Sequence, residues 1–202
     1  MTTRGRFVAL EGGEATGKST QARLLAAAIG AVLTREPGGT VLGERLRDLV
    51  LDPSLTATAP RAELLIMVAA RAQHVVEVVE PALAAGRNVV TDRFTGSSVA
   101  YQGHGRGLPI EEVAQLSQWA SDGVEPDLNI LLDLPVQVAA ARLAGARDRL
   151  EAAGVAFHEA VRAGFHALAG ADPQRWVVLD GMRPVDEVAA AVRAAVGERL
   201  DL

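Results

Sequence analysis

The stretch of residues 11–20, Glu-Gly-Gly-Glu-Ala-Thr-Gly-Lys-Ser-Thr, constrains this sequence more than any other. It fits the pattern of a glycine, four residues and then Gly-Lys-Ser/Thr. The apolar segment 7–10 precedes it and a helix-favouring segment, 19–29, follows it. The backbone N–H groups of such a loop, with the N-terminus of the next helix, bind phosphate. This context predicts a phosphate-binding loop rather than a glycine-rich turn without a ligand.

Lys18 is the only lysine in the chain, since the other nineteen basic residues are arginines. A lysine in this place reaches the β- and γ-phosphates of a nucleotide, and the hydroxyl of Ser19 holds Mg²⁺. The sequence therefore predicts nucleotide binding by a set of nine consecutive residues: Gly12, Gly13, Glu14, Ala15, Thr16, Gly17, Lys18, Ser19 and Thr20.

The overall composition excludes several other classes of protein. The formal net charge is −5, which argues against general binding of nucleic acid or anionic membranes. The chain has no cysteine, so disulfides and thiolate metal sites are excluded, and its four histidines lack ligand spacing. The longest apolar run, 24–33, is too short to span a bilayer. We expect a cytoplasmic protein with neither nucleic acid nor membrane as a partner.

Short apolar segments alternate with helical ones along the chain. This alternation predicts an α/β fold, with a parallel five-stranded sheet flanked by helices, and 202 residues predict one domain, 1–202. The predicted strands are 7–10, 31–34, 88–91, 128–132 and 176–179, and the predicted helices are 19–29, 41–51, 61–85, 96–102, 110–121, 136–145, 151–169 and 185–199. Ligands bind beyond the carboxyl ends of such strands.

Charged residues follow the second and third predicted strands. Arg35 follows the second strand and faces the predicted cleft, although an ordinary connecting loop is the alternative. Asp92 and Arg93 follow the third strand, where a carboxylate can lie beside Mg²⁺ and a guanidinium can bind a second phosphate. A surface ion pair is the disfavoured alternative. Glu14, inside the phosphate loop, is either a solvated rim side chain or an acceptor for a hydroxyl of a second substrate.

Two helices carry candidate residues for that second substrate. Arg71 shares a face with Met67 on an apolar helix, where it either marks the start of the exposed half or donates to a ligand. Ser98, Tyr101 and Gln102 line one face of the segment 96–102. This face is a candidate surface for reading a nucleobase, and a polar helix face is the alternative.

The last third of the chain holds an arginine cluster. Asp133 ends the fourth strand and is predicted to cap the next helix. Arg142, Arg147 and Arg149 follow within eight residues. They indicate either an exposed charged helix or a mobile lid, about 142–151, that supplies positive charge to phosphoryl transfer. The turn 180–184, which contains Arg183, is expected to border a purine.

Several stretches in this order resemble the thymidylate (dTMP) kinase family, in its bacterial type with catalytic arginines in the lid. Besides the phosphate loop they are Thr-Arg-Glu-Pro-Gly-Gly-Thr at 34–40, Ala-Ala-Arg-Ala-Gln at 69–73, Asp-Arg at 92–93, Ala-Tyr-Gln-Gly at 100–103, Gly-Arg-Gly at 105–107, Pro-Asp at 126–127 and Asp-Arg-Leu-Glu at 148–151. The resemblance extends over nearly the whole chain. It implies a P-loop NTPase fold, transfer of the γ-phosphate of ATP to dTMP, Mg²⁺ and a homodimer.

The resemblance also implies roles for individual residues. Glu14 meets the 3′-hydroxyl of dTMP and Arg93 grips its phosphate. Arg71 and Ser98 read the thymine edge, and Tyr101 lies against the sugar. Arg35, Met67 and Gln102 complete the expected dTMP site. Lys18, Asp92, Arg93 and the lid residues Arg142, Arg147 and Arg149 are the expected catalytic group, Ser19 and Asp92 the metal site, and the turn containing Arg183 lies by adenine.

Two departures from the family pattern concern the acceptor site and the lid. Met67 stands where the family commonly has a phenylalanine that stacks on thymine, and a thioether packed on a ring is worth about 0.3–1.5 kcal/mol. The lid between Arg142 and Arg149 is shorter than usual.

The alternatives are another small P-loop nucleotide or deoxynucleoside kinase, a nucleotide-dependent ATPase switch, and a degenerate kinase kept as a scaffold. A GTPase of the common type is excluded, because its Asn-Lys-x-Asp guanine reader requires a second lysine. The intact Lys18, Asp92 and Arg93 argue against the scaffold.

Overall fold

The fold is built on one parallel sheet of five strands. A computed structural model describes residues 4–143 and 148–202. The strand order is β2-β3-β1-β4-β5, and all pairings are parallel. The predicted α/β architecture is therefore confirmed. The strands are β1 (Phe7–Glu11), β2 (Val32–Arg35), β3 (Val89–Asp92), β4 (Leu128–Asp133) and β5 (Trp176–Asp180).

The central strand β1 is buried along its whole length, because helices cover both faces of the sheet. Alternate residues of a strand point to opposite faces. Val8 and Leu10 thus belong to one apolar cluster, while Phe7 and Ala9 belong to another on the other face. The edge strands β2 and β5 are only partly buried. This explains why the central strands are uniformly apolar in sequence.

Helices flank the sheet on both sides. They are α1 (Lys18–Ile29), α2 (Val41–Leu51), α3 (Pro60–His74), α4 (Glu80–Ala84), α5 (Thr95–Ser98), α6 (Ile110–Ala120), α7 (Val136–Arg142), α8 (Val155–Ala171) and α9 (Val185–Leu200). Helices α1 and α9 contribute Leu25 and Val192 to one apolar cluster, and α8 contributes Phe165 to another. Within the described ranges, no helix is both long and apolar enough to cross a membrane.

Two predicted helices contain π-helical segments, which sequence periodicity did not indicate. The predicted helix 61–85 comprises α3, a π-helical segment Val75–Val79 and α4. The predicted helix 96–102 begins as the four-residue α5 and continues as a π-helical segment, Val99–Gly105. A π-helical turn inserts an extra residue and shifts the side chains that follow. The predicted helical faces are therefore rotated at Tyr101 and Gln102.

The predicted helix boundaries around 143–154 are wrong. Helix α7 ends at Arg142, and Leu143 is extended, so the predicted helix 136–145 is too long. Helix α8 begins only at Val155. The carboxylate of Asp148 accepts hydrogen bonds from the N–H groups of Leu150 and Glu151, both at 2.8 Å. These bonds form a turn that competes with a helix from residue 151.

Candidate active site

The phosphate loop connects β1 to α1 at the carboxyl edge of the sheet. Gly12 has φ +140°, and a Cβ atom there would lie 2.5 Å from the carbonyl oxygen of Leu132. Gly17 directly precedes α1 with φ +93°. Side chains at these two positions would strain or block the loop. The predicted loop thus has the backbone shape that turns N–H groups toward an anion.

Lys18 lies folded within this loop. Its side chain is 6% exposed, and its ammonium donates to the carbonyl oxygen of Gly13 and, at 3.3 Å, to the hydroxyl of Thr16. Burial, together with the positive charge of Arg93, lowers the pKa of Lys18 to about 8. Both hydrogen-bond acceptors are uncharged. The ammonium can therefore exchange them for phosphate oxygens without breaking an ion pair.

Ser19 and Asp92 lie side by side at the ends of α1 and β3. The Ser19 hydroxyl donates a hydrogen bond to the Asp92 carboxylate. Across residues 4–143 and 148–202, no three or more His, Asp or Glu side chains form a group that could hold a metal alone. A Mg²⁺ ion here would take one hydroxyl and one carboxylate from the protein, with phosphate oxygens and water as its other ligands.

A cavity of about 380 Å³ adjoins the phosphate loop. Residues 14–20 form part of its lining, together with Ser19's neighbour Asp92. Four arginines, contributed by separate segments, also line it: Arg35, Arg47, Arg93 and Arg142. The cavity therefore combines a main-chain anion site with a concentration of guanidinium groups, which suits a polyphosphate.

Arg93 lies between the phosphate loop and the neighbouring helix. It has φ +72°, uncommon for a residue with a side chain, and its guanidinium donates to the carbonyl oxygen of Gly12 at 2.8 Å. It also donates to Glu14 at 2.8 Å and to the hydroxyl of Tyr101 at 3.0 Å. Burial opposes ionisation of both members of the pair, but Arg93 and Lys18 outweigh it and lower the pKa of Glu14 to about 2. The pair is therefore fully charged at neutral pH.

Tyr101 completes this cluster. Its hydroxyl donates to Glu14 at 2.5 Å, and the Arg93 guanidinium lies 4.8 Å from the centre of its ring. Burial raises the pKa of Tyr101 well above its usual value, so the phenol stays protonated. The cluster of Glu14, Arg93 and Tyr101 forms a wall common to the phosphate-loop region and the next cavity.

That next cavity, the acceptor cavity, is small, about 60 Å³. Five residues predicted for the second substrate line it: Glu14, Met67, Arg93, Tyr101 and Gln102. Six further residues share the lining: Pro37, Arg47, Leu51, Ser97, Asp148 and Leu150. Ligand sites for small molecules usually measure about 300–1,000 Å³. A nucleotide would therefore have to widen this cavity on binding.

Arg71 and Ser98 do not line the acceptor cavity. Arg71 is 1% exposed and donates to Glu36 at 2.8 Å and to the Ser98 hydroxyl at 3.1 Å. It also donates to the carbonyl oxygen of Phe94 and to the hydroxyl of Ser117. This cation is bound by protein groups on several sides. A role for Arg71 and Ser98 in reading a base stays a prediction.

Arg35 and Arg183, also predicted for the site, are exposed at its margins. Arg35 forms an ion pair with Glu44 at 2.7 Å and lines the phosphate-loop cavity rather than the acceptor cavity. Arg183 lies 3.4 Å from Glu187. The turn that holds Arg183 approaches the loop through Gly181, whose N–H donates to the carbonyl oxygen of Asp133 at 2.8 Å.

The lid arginines have different surroundings. Arg142 lines the phosphate-loop cavity and donates to the carbonyl oxygen of Gly181 at 3.1 Å. Arg149 lines neither cavity and binds Glu63 at 2.7 Å. Arg147 lies outside the described residues. The structure thus brings Arg142 toward the phosphate loop and directs Arg149 elsewhere, and the catalytic roles of all three stay predictions.

Asp133 does not cap a helix, contrary to the sequence prediction. It is the last residue of β4, and Pro135 occupies the position before α7. Its carboxylate binds both Arg162 nitrogens at 2.8 Å and His166 at 3.0 Å, and these hydrogen bonds lower the pKa of Asp133. Two proline-flanked residues separate Asp133 from α7, so its side chain is free to pair with α8 instead.

Sequence reasoning missed Arg47, which lines both cavities. It lies on α2 and donates to the carbonyl oxygen of Pro37 at 3.0 Å. Burial and the charges of Arg35 and Arg93 lower the pKa of Arg47. The segment Glu-Arg-Leu-Arg-Asp offered only a weak signal, because spacing alone does not separate the inward Arg47 from the exposed Arg45.

Comparisons with known proteins place these cavities in context. The family model described as "Thymidylate kinase" matches residues 10–192. A thymidylate kinase of Leifsonia xyli subsp. xyli is 52% identical over 204 residues, covering 97% of this chain and 96% of its own. A thymidylate kinase of Chromobacterium violaceum is 48% identical over 196 residues, covering 94% and 92%.

A solved structure agrees with these relatives. The crystal structure of thymidylate kinase from Ehrlichia chaffeensis superimposes with a TM-score of 0.79 at 30% identity. The match covers 96% of this chain and 99% of that one. The predicted P-loop NTPase fold is therefore confirmed.

Proposed function

The chain belongs to the thymidylate kinase family, and we propose that it transfers the γ-phosphate of ATP to dTMP, giving ADP and dTDP. The observation that carries this proposal is the cluster of Glu14, Arg93 and Tyr101, which separates a phosphate-loop cavity from an acceptor cavity. Two adjoining cavities with a shared cationic residue suit direct transfer between two bound nucleotides.

The proposed donor site is the phosphate-loop cavity. The loop binds the phosphates of ATP, and Lys18 and Arg142 bind the charge that develops on the transferred group. Mg²⁺ is held by Ser19 and Asp92 together with phosphate oxygens. This assignment is supported by the adjacency of the hydroxyl and the carboxylate.

The proposed acceptor site is the second cavity. Arg93 binds the phosphate of dTMP, Glu14 accepts from the 3′-hydroxyl, and Tyr101 packs against the sugar. Arg93 and Glu14 are bonded to each other in the structure, so dTMP must share or replace that ion pair. Met67 packs against the base.

We also propose that the protein forms a homodimer through α3 and α6. Leu65, Ala69 and Ala72 lie along one stripe of α3, where Leu65 is 56% exposed. Trp119 on the neighbouring α6 is 79% exposed. Exposed apolar side chains on two packed helices are typical of an interface between subunits. Light scattering of the purified protein tests this, and Trp119→Glu should shift the mass toward that of a monomer.

The decisive experiment measures ADP formation from ATP and Mg²⁺ with dTMP, dUMP, dCMP, dGMP or no acceptor. We expect strong turnover with dTMP and little without an acceptor. Lys18→Ala, purified identically, controls for a contaminating kinase. Preference for another nucleotide would indicate a different nucleotide kinase, whereas hydrolysis without an acceptor would indicate an ATPase.

A further inference from the structure

Glu63 is a buried carboxylate at the start of α3 and is 0% exposed. Three side chains from other segments bind it. The Gln102 amide donates at 2.9 Å, Arg149 at 2.7 Å, and Arg106 lies at 3.0 Å. Burial opposes the charge, but these partners lower the pKa of Glu63. A carboxylate in such a place must be paired, so its partners are held in defined positions.

Arg149 connects this carboxylate to the end of α2. Its Nε atom donates to the carbonyl oxygen of Val50 at 2.9 Å, and its backbone N–H donates to that of Leu51 at 3.2 Å. Its side chain borders a separate surface recess that it shares with Arg106. The residues on either side of it, Asp148 and Leu150, line the acceptor cavity. Arg149 therefore anchors the segment that forms one wall of that cavity.

Gln102 forms another wall and is oriented by the same carboxylate. Because a carboxylate only accepts hydrogen bonds, the NH₂ group of Gln102 must point to Glu63, which turns its amide oxygen away. That oxygen is buried and has no hydrogen-bond partner within residues 4–143 and 148–202. Gln102 lines the acceptor cavity, so Glu63 determines which end of this amide is available there.

We infer that Glu63 is a positioning residue that sets two walls of the acceptor cavity together, Gln102 directly and Asp148 and Leu150 through Arg149. The inference deepens the proposed function and rests on it. Arg149 then serves acceptor binding, through the fork of its guanidinium, and does not contact the transferred phosphate. A second layer of hydrogen bonds that orients binding groups commonly has a large effect on affinity.

The test compares steady-state kinetics of Arg149→Ala, Glu63→Gln and the double variant, with Arg142→Ala as the matched lid arginine. Each single variant should raise the KM for dTMP about tenfold or more, because small displacements of a binding wall are costly. Their kcat should fall less than KM rises, and the KM for ATP should be unchanged. The double variant should resemble the singles, because they remove one shared interaction. Arg142→Ala should instead lower kcat.

Several results would overturn the inference. A fall in kcat of roughly 10³-fold in Arg149→Ala, with unchanged KM for dTMP, would show that Arg149 contacts the transferred phosphate. Effects that multiply in the double variant would show independent roles. An unchanged KM with only a lower unfolding temperature would show a purely structural pair.

Two controls keep the test decisive. ATP binding measured by calorimetry verifies that each variant is folded. If Arg149→Ala does not fold, Arg149→Lys replaces it, because one ammonium cannot reproduce the fork to Glu63 and Val50 and should still raise the KM for dTMP. Failure of the proposed function is a distinct result, since the unaltered protein would then lack dTMP-dependent turnover, and the inference would fall with it.

Discussion

The phosphate-loop region and the acceptor region hold their cations in different ways. In the loop, Lys18 is bonded to a carbonyl oxygen and a hydroxyl, both from residues within five positions of it. In the acceptor region, Arg93 is paired with Glu14 and Arg71 with Glu36, and Arg149 is paired with Glu63, 86 residues away. One region is local and binds through uncharged groups, whereas the other is a long-range network of ion pairs.

This difference separates affinity for a polyphosphate from selection of an acceptor. An ammonium held by uncharged oxygens is ready to bind an anion. An arginine already paired with a carboxylate binds an anion only if the ligand also satisfies that carboxylate or displaces it. The acceptor region should therefore respond to ligand shape, while the loop should respond mainly to phosphate charge. Four measurements sharpen or break this comparison.

Lys18→Ala is expected to have the largest effect on turnover. Removing the only ammonium in the loop should lower kcat by at least about 10³-fold, with the Kd for dTMP nearly unchanged. Kinetics and calorimetry measure the two quantities. Arg23→Ala, on the exposed side of α1, should leave both unchanged. A large loss of dTMP binding in Lys18→Ala would show that the two regions are not separate.

Arg71→Met is expected to have the largest effect on stability. It leaves the buried Glu36 carboxylate with His74 as its remaining charged neighbour, and the free energy of unfolding should fall by about 3 kcal/mol. Urea unfolding at neutral pH measures this change. The matched Lys18→Met should preserve or increase stability, because it removes a buried charge that has no ion pair within the described part of the chain. Equal destabilisation by both substitutions would contradict the comparison.

The pH dependence of binding should differ between the two ligands. Because the pKa of Lys18 is lowered to about 8, the ammonium that binds ATP is lost from the free protein as pH rises through that value. The affinity for ATP should then fall, with a limiting slope of about tenfold per pH unit. Burial opposes the charge of Arg93, but Glu14 and neighbouring groups raise the pKa of Arg93, so dTMP binding should stay constant. Calorimetry between pH 7.5 and 9.5, set as roughly one unit either side of that pKa, tests both.

Met67→Leu is expected to have the smallest effect. It keeps the volume of the side chain but removes the contact between sulfur and the ring, worth about 0.3–1.5 kcal/mol. The KM for dTMP should rise by a factor between about two and ten, with kcat unchanged. Dimethyl-free dUMP is not needed for this measurement, since dTMP titrations alone suffice. A change in the KM for ATP would contradict the assignment of Met67 to the acceptor cavity.

The same contrast explains what could be predicted from the sequence. The phosphate loop is encoded by contiguous residues, so its position between β1 and α1 was predictable, as was α2 at 41–51. The direction of an arginine side chain depends on partners far along the chain. Arg149 and its partner Glu63 illustrate this, because the motif around Arg149 indicated a lid without indicating where the guanidinium points. Likewise, the turn at Asp148 that delays α8 competes with a helix by side-chain hydrogen bonds that periodicity does not register.

The solitary lysine also makes the protein a natural substrate for site-selective chemistry. Apart from the N-terminus, an amine-directed acylating reagent finds one target, and that target lies within the phosphate loop. Its lowered pKa increases the neutral, nucleophilic fraction of the amine near physiological pH. Intact-mass spectrometry of a brief acylation would thus report, molecule by molecule, whether nucleotide occupies the loop, without any engineered label.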